Sequence, residues 1–183
     1  MEPGFAGGER DKRYDFFKQI QWVGFDVDGV LTDGGIIIND QGVESKRFHS
    51  RDGHGIKTLL KAGIKVALIT GRRSEVVARR AEELGITEVR QGVFHKLEAY
   101  EAILKKEGLT PEQTAFAGDD IVDLPILVRC ALPMAPADAC PEVLAVAKFV
   151  ATANGGHGAA REMVECILKG QWLWDDLLAR YRA

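Results

Sequence analysis

Residues 22–35 read WVGFDVDGVLTDGG. Trp22-Val23-Gly24-Phe25 is a short apolar run that ends at Asp26, and a second carboxylate, Asp28, follows two residues on. Gly29, Thr32, Asp33, Gly34 and Gly35 then mark a turn. A brief, unbroken apolar run bounded by turn residues predicts a strand buried on both faces, as in a parallel sheet. Ligands of such sheets bind beyond the carboxyl ends of the strands. Two carboxylates at that point repel each other and lose hydration. A cation is therefore expected beside them, and a divalent ion that prefers oxygen donors is the simplest choice.

Upstream, residues 1–12 are rich in glycine and charge and are expected to form a disordered tail, with a short helix or lead-in over 14–21. Downstream, Ile36-Ile37-Ile38, a polar tip at Asn39-Asp40-Gln41-Gly42 and a second extended run predict a β-hairpin within 35–49. Three successive isoleucines are too apolar for a hairpin left in water, so they are expected to be covered by the same chain or by another subunit. Residues 51–55, RDGHG, read as a loop leading into a helix over 56–62. Strands follow at 65–70, 86–90, 114–117, 131–135 and 149–150, alternating with helices near 74–84, 96–106, 121–128, 141–146 and 159–169. Ser74 is placed to cap the first of these helices, and Gly85 and Gly108 to end the first two. This alternation predicts a doubly wound parallel α/β sheet, Rossmann-like, with the hairpin as its only sizeable insertion. The core is assigned to 13–170, and 171–183 form a C-terminal tail in which Trp172 and Trp174 pack as aromatic residues of a helical piece.

Length and composition agree. The chain has 183 residues, 46% of them hydrophobic and 28% charged, which suits a single core. A net charge of −3 offers no electrostatic basis for nucleic-acid binding. Cys130, Cys140 and Cys166 form no paired motif, which points to reduced thiols. No apolar run approaches the roughly 18 residues of a membrane span, and the first residues lack a secretory core. A cytoplasmic protein is expected.

Four features fall at the ends of successive predicted strands: Asp26 with Asp28, Thr70 with Gly71, Lys96 at a helix start, and Asp119 with Asp120 and Asp123. A sheet of this type gathers them on one rim. Their chemistry fits phosphoryl transfer. One carboxylate can act as nucleophile through an aspartyl-phosphate, and a second can exchange protons with the leaving oxygen and with water. Asp119 can share Mg²⁺ with Asp26, while a hydroxyl and an ammonium hold phosphoryl oxygens. The competing reading of Asp119, Asp120 and Asp123 is a capped helix start with solvated acids. Arg51, Arg72 and Lys96 near the same rim suit an anionic substrate, whereas Arg73 and Arg79 read as a solvated helix face. His54, His95 and His157 have no ligand spacing.

These residues resemble the motifs of the haloacid dehalogenase-like phosphatases: Asp26-Val27-Asp28-Gly29-Val30, Thr70-Gly71-Arg72, Lys96, and Gly118-Asp119-Asp120-Ile121-Val122-Asp123. The resemblance spans about residues 22–168. It implies Asp26 as nucleophile and metal ligand, and Asp28 as general acid/base that lends its carbonyl to Mg²⁺. It further implies Thr70 and Lys96 as phosphoryl holders, Asp119 as metal ligand and Asp123 behind the metal. The absence of a large cap, with FHSRDGHGIKTL at 48–59 and GGHGAARE at 155–162, resembles the 3-deoxy-D-manno-octulosonate 8-phosphate phosphatase family. That resemblance implies Mg²⁺-dependent hydrolysis of this sugar-acid phosphate in lipopolysaccharide biosynthesis. It also implies a homotetramer built through the hairpins. Substrate contacts would fall at Asp28, His49, Ser50, Arg51, Asp52, Gly53, Lys57, Arg72, Arg80, Lys96 and Asp120. The chain departs from many members at His49, where Asn is common, and at Lys57, where Arg is common. Alternatives in view are a nonulosonate 9-phosphate substrate, a regulatory or oligomerising domain of the same fold, and a receiver-like cofactor binder.

Overall fold

A computed structural model of the protein describes residues 17–182. The expected tail over 1–12 and the start of the lead-in lie outside the described residues; residues 17–19 form one short 3-10 turn. Along the chain follow β1 (Trp22–Phe25), β2 (Ile37–Ile38), β3 (Glu44–Ser45), α1 (Ser50–Lys61), β4 (Lys65–Thr70), α2 (Glu75–Leu84) and β5 (Glu88–Gln91). Then come α3 (Lys96–Glu107), β6 (Thr114–Ala117), α4 (Leu124–Leu127), β7 (Leu132–Ala135), α5 (Pro141–Val146), β8 (Phe149–Val150), α6 (Ala159–Gly170) and α7 (Trp174–Ala179).

Among the described residues, the main sheet has six strands in the order β5-β4-β1-β6-β7-β8, and every pairing in it is parallel. The chain leaves β1 toward β4 and β5, then returns to build β6, β7 and β8 on the other side. The reversal of winding falls at β1, so its carboxyl end opens on the crevice where such sheets bind ligands. Phe25 pairs with Leu68 and Ala117 in register, and the Asp26 N–H donates to the Ala117 carbonyl at 2.9 Å, carrying the pairing one step beyond the strand.

Alternate residues of the strands face opposite layers, as a pleated strand requires. Val23, Phe25, Val66, Leu68, Ala115 and Ala117 pack under α1, α2 and α6 with Ile56, Leu59, Val77 and Val164. Trp22, Ala67, Ile69 and Phe116 pack under α3, α4 and α5 with Tyr100, Ile103 and Ile126. The Trp22 and Tyr100 rings meet edge to face with centroids 5.7 Å apart, and the buried Tyr100 hydroxyl bonds Thr114 Oγ1 at 2.6 Å. Ser74 caps α2 by accepting the Val77 N–H, and Gly85 and Gly108 close α2 and α3 in the left-handed conformation.

The loop expected over 51–55 is helical instead. Residues 51–55 are the first turns of α1, which begins at Ser50 and carries two buried glycines, Gly53 and Gly55. Glycine weakens an isolated helix, but here its small size lets neighbours approach. A Cβ on Gly53 would strike the Arg80 guanidinium, and one on Gly55 would lie 3.2 Å from Arg161 Cδ. The hairpin is also slighter than expected, with only Ile37–Ser45 and Ile38–Glu44 paired. Its isoleucines are not covered by the described residues of their own chain: Ile36, Ile37 and Ile38 are 59%, 55% and 56% exposed. No helix among the described residues is long and apolar enough to cross a membrane.

Candidate active site

Asp26 follows β1 directly, Lys96 opens α3 beyond β5, and Asp119 and Asp123 follow β6. The sheet brings all four together. Lys96 Nζ lies 2.9 Å from Asp26 Oδ1 and 2.7 Å from Asp123 Oδ1. The other oxygen of Asp123 accepts the backbone N–H groups of Asp119 at 3.1 Å and Asp120 at 3.4 Å. Asp123 is wholly buried, so the solvated-acid reading fails for it. Both its oxygens serve to hold Lys96 and to fold the 118–120 loop. Asp120 is exposed and caps the short 3-10 turn over Ile121–Asp123 through the Ile121 N–H at 2.7 Å. Thr70 ends β4, is buried, and accepts the Arg72 N–H at 3.4 Å, leaving its hydroxyl proton free to donate.

One carboxylate oxygen from each of Asp26, Asp119 and Asp123 lies within 4.8 Å of the others. Burial, reinforced by the charge of Asp123 and opposed by Lys96, lifts Asp26 to about 6. Burial and then the charges of Asp26 and Asp123 lift Asp119 to about 8. Burial works to lower the Lys96 ammonium, but the two aspartates outweigh it and hold it above the usual lysine value. Asp119 Oδ1 is buried without a hydrogen-bond partner. Three carboxylates thus face one ammonium, a surplus of two negative charges when all are ionised, and one buried oxygen has no partner among the described residues. A divalent cation bound through oxygen fits that set, with Asp26 and Asp119 as the carboxylates free to hold it.

Gly29 permits the arrangement. Its φ is +92°, and a Cβ there would collide with the Asp119 carboxylate, so the β1 loop and the β6 loop can meet only at glycine.

Asp28 is surrounded differently. Its Oδ1 pairs with Lys46 Nζ, whose side chain is only 1% exposed, and its Oδ2 lies 3.9 Å from Arg72 Nε. Glu44 reaches both cations, 3.5 Å from Lys46 and 3.2 Å from Arg72. Lys46 and Glu44 were missed in the sequence. Their signal is that residues two apart on an extended run share a face, so both hairpin charges turn the same way.

The other expected substrate residues gather apart. His49 precedes α1, and Ser50, Arg51, Asp52 and Gly53 form its first turn. The buried Asp52 accepts the Arg161 N–H at 2.8 Å, capping from α1 the helix α6, which has no side-chain cap of its own. His49 Nδ1 and Asp52 Oδ2, 4.0 Å apart, are both buried without hydrogen-bond partners. Arg80 binds Glu83 at 2.7 Å and lies over the Phe48 ring at 5.6 Å. Lys57 lies further along α1 and is half-buried. Among the described residues, no hydrogen bond or ion pair joins this group to the Asp26 cluster. Two of the histidines set aside in the sequence bond elsewhere: His54 bonds the Tyr181 hydroxyl at 3.0 Å, and His157 Nδ1 bonds the Gly155 carbonyl at 2.7 Å. Arg79 is a solvated partner of Glu75. Trp174 packs under Arg161 and Lys169, whereas Trp172 is 58% exposed and does not pack as expected.

A family model of haloacid dehalogenase-like hydrolases matches residues 52–130. A crystal structure from Moraxella catarrhalis superposes with a TM-score of 0.90 at 40% identity, covering 92% of this chain and 97% of that one. With the winding reversal at β1 and carboxylates following both β1 and its neighbour β6, the chain is a haloacid dehalogenase-like hydrolase. The Moraxella protein is a 3-deoxy-D-manno-octulosonate 8-phosphate phosphatase, in complex with magnesium, phosphate and KDO. The phosphatase KdsC of Yersinia pestis, of the same specificity, is 46% identical over 146 residues, 80% of this chain and 78% of that protein. A cobalt-bound deoxy-D-mannose-octulosonate 8-phosphate phosphatase from Haemophilus influenzae has a TM-score of 0.83 at 43% identity, covering 86% of this chain and 92% of that one. The chain belongs to the 3-deoxy-D-manno-octulosonate 8-phosphate phosphatase family.

Proposed function

We propose that this protein hydrolyses 3-deoxy-D-manno-octulosonate 8-phosphate to the sugar acid and phosphate with Mg²⁺, in lipopolysaccharide biosynthesis. The observation that carries the reading is Lys96 held between Asp26 and Asp123 beside the unpartnered oxygen of Asp119. Asp26, Asp119 and the Asp28 carbonyl would hold the ion, which would offset the surplus charge and draw electron density from the phosphoryl oxygens.

The residues divide the work. An ionised Asp26 oxygen forms a bond to phosphorus as the ester P–O bond breaks, and Asp28 gives a proton to the departing sugar oxygen. Asp28 then takes a proton from water as the water oxygen bonds to phosphorus, and the acyl-phosphate P–O bond breaks to restore Asp26. Lys96 has three N–H donors; two meet carboxylates and the third is available for a phosphoryl oxygen. Thr70 supplies a hydroxyl donor beside it. Arg72, at the same rim, faces the sugar acid.

The residues from His49 to Gly53, with Lys57, Arg80 and Asp120, would meet the sugar acid where subunits adjoin. The separation of residues 49–53, Lys57 and Arg80 from the Asp26 cluster, and the exposed Ile36, Ile37 and Ile38, support a homotetramer joined through the hairpins. The free thiols of Cys130, Cys140 and Cys166 accord with a reducing cytoplasm.

Phosphate release from octulosonate 8-phosphate, a nonulosonate 9-phosphate and neutral hexose phosphates, with and without Mg²⁺, tests the reading. Metal-dependent release greatest for the octulosonate is expected, and Asp26→Asn should abolish it while leaving the fold intact. No release from any substrate would overturn the assignment. Gel filtration at the 20.1 kDa monomer mass would overturn the tetramer.

A further inference from the structure

We propose that Lys46 is a positioning residue that aims the Asp28 carboxylate at the reacting phosphate ester, and that Glu44 holds Lys46 in place, so that the hairpin completes the site in its own subunit. The inference rests on the reading of Asp28 as acid/base, and on geometry that reading did not use.

Lysine is almost never fully buried unless paired, yet the Lys46 side chain is 1% exposed. Its ammonium meets Asp28 and Glu44. Arg72 meets the other oxygen of Asp28 at 3.9 Å and shares Glu44 Oε1 with Lys46, at 3.2 Å. Two acids and two bases therefore alternate around a closed, charge-balanced ring, and the Ser74 hydroxyl adds a bond to Glu44. Asp28 stands in a loop that its backbone fixes, but a carboxylate in a loop can still rotate about its side-chain bonds. The ring removes that freedom by setting a cation against each oxygen. Catalytic groups work only when held close to their productive orientation by such neighbours. Arg72 can be drawn away by an anionic substrate on the rim, since it is 43% exposed. Lys46, enclosed beneath, stays with Asp28. The hairpin has a separate, solvent-facing tie, Arg47 to Asp33 at 2.5 Å, so docking of the hairpin does not depend on Lys46 alone.

The test is kinetic, on the tetrameric or monomeric protein as it purifies, with Lys46→Met, Lys46→Arg and Glu44→Gln. Octulosonate 8-phosphate needs its leaving oxygen protonated, whereas p-nitrophenyl phosphate carries a leaving group that departs without a proton. General acid–base catalysis contributes about 10²- to 10⁴-fold, and misaiming the group forfeits part of it. Lys46→Met is expected to lower kcat and kcat/KM for the octulosonate ester about tenfold or more, with KM little changed. Its kcat/KM for p-nitrophenyl phosphate should change by less than about threefold. The free sugar acid should inhibit it as it inhibits the wild type, and Lys46→Arg should recover most of the rate. Glu44→Gln should move the same parameters in the same direction by less, and it carries the test if Lys46→Met does not fold. Equal losses of kcat/KM on both esters would mean a merely structural role. A raised KM with weaker sugar-acid inhibition at unchanged kcat would mean a substrate contact. Either overturns the proposal, as does an unchanged rate. If the wild type itself releases no phosphate from the octulosonate ester, the functional reading fails instead, and the two failures are thereby distinct.

Discussion

Asp123→Asn isolates what the most buried carboxylate of the site does. The residue has no exposure, and its two oxygens serve three donors, the Lys96 ammonium and the N–H groups of Asp119 and Asp120. Asparagine offers one oxygen and one NH₂ group. Either orientation turns a donor toward a donor, the ammonium in one case and two backbone N–H groups in the other. Hydrogen bonds to charged groups contribute about 1.5–3 kcal/mol each, and a buried group left unmatched costs about 1–3 kcal/mol more. Removing one negative charge also relieves Asp26 and Asp119, both of which Asp123 raises, and this offsets part of the loss. A net destabilisation of about 2–4 kcal/mol follows. For a chain of this size it lowers Tm by about 5–15 °C.

Metal affinity separates this role from that of a ligand. A residue that orients a ligand typically changes affinity about 10- to 100-fold when replaced, so Mg²⁺ should still bind to Asp123→Asn by titration calorimetry, but more weakly. Scanning calorimetry in chelator supplies the stability arm. A Tm within about 2 °C of wild type together with Mg²⁺ binding abolished would show that Asp123 is a direct ligand. Wild-type values of both would refute the claim that it builds the 118–120 loop.

Two further predictions follow from the same geometry. Asp119 at about 8 and Asp26 at about 6 are carboxyls whose folded values lie above their unfolded ones, so the stability they lend is complete below about pH 4 and lost as pH rises through 6 and 8. The metal-free Tm should therefore fall between pH 5 and pH 8, and added Mg²⁺ should raise it more at pH 8, where protons compete less for Asp26 and Asp119; a metal-free Tm that climbs over that window would refute the burial of both groups. Gly29→Ala should weaken Mg²⁺ binding far more than Gly42→Ala, because both have positive φ but only at Gly29 would the new Cβ meet Asp119, whereas nothing lies within 4 Å of Gly42; equal effects in a calorimetric titration would refute the close approach.

The rim was legible because strand ends announce themselves. Asp26, Thr70 and Asp119 each follow or close an apolar run, and Lys96 stands at a helix start, so topology alone collects them. What escaped depends on contacts distant in sequence. RDGHG reads as a loop because two glycines disfavour a helix in isolation, and only Arg80 and Arg161 pressing against Gly53 and Gly55 give those glycines a packing role. Asp52 was read by resemblance as a substrate contact, and nothing near it in sequence announces that it caps α6, more than a hundred residues on. The mutual dependence of the 51–55 and 155–162 segments is this cap: the first supplies the carboxylate and the second the N–H that needs it.

The hairpin shows why a small element can escape a reading by pattern and still matter to the site. Two paired residues on each strand cannot hold a hairpin together in water, so its shape must come from what it touches. Its charges close a ring with Asp28 and Arg72. At the same time Ile36, Ile37, Ile38 and Val43 remain exposed among the described residues. If a second copy covers those residues, as proposed, assembly fixes the hairpin, and the hairpin fixes Asp28. Subunit association and proton transfer are then coupled through Lys46. Replacing the isoleucines by polar residues should consequently lower kcat for the octulosonate ester even at concentrations where substrate is saturating. Dilution into the monomer should do the same in the wild type, measured as a specific activity that falls with enzyme concentration. A specific activity constant across the range in which gel filtration shows dissociation would uncouple the exposed isoleucines from the charge ring and leave the ring to act alone.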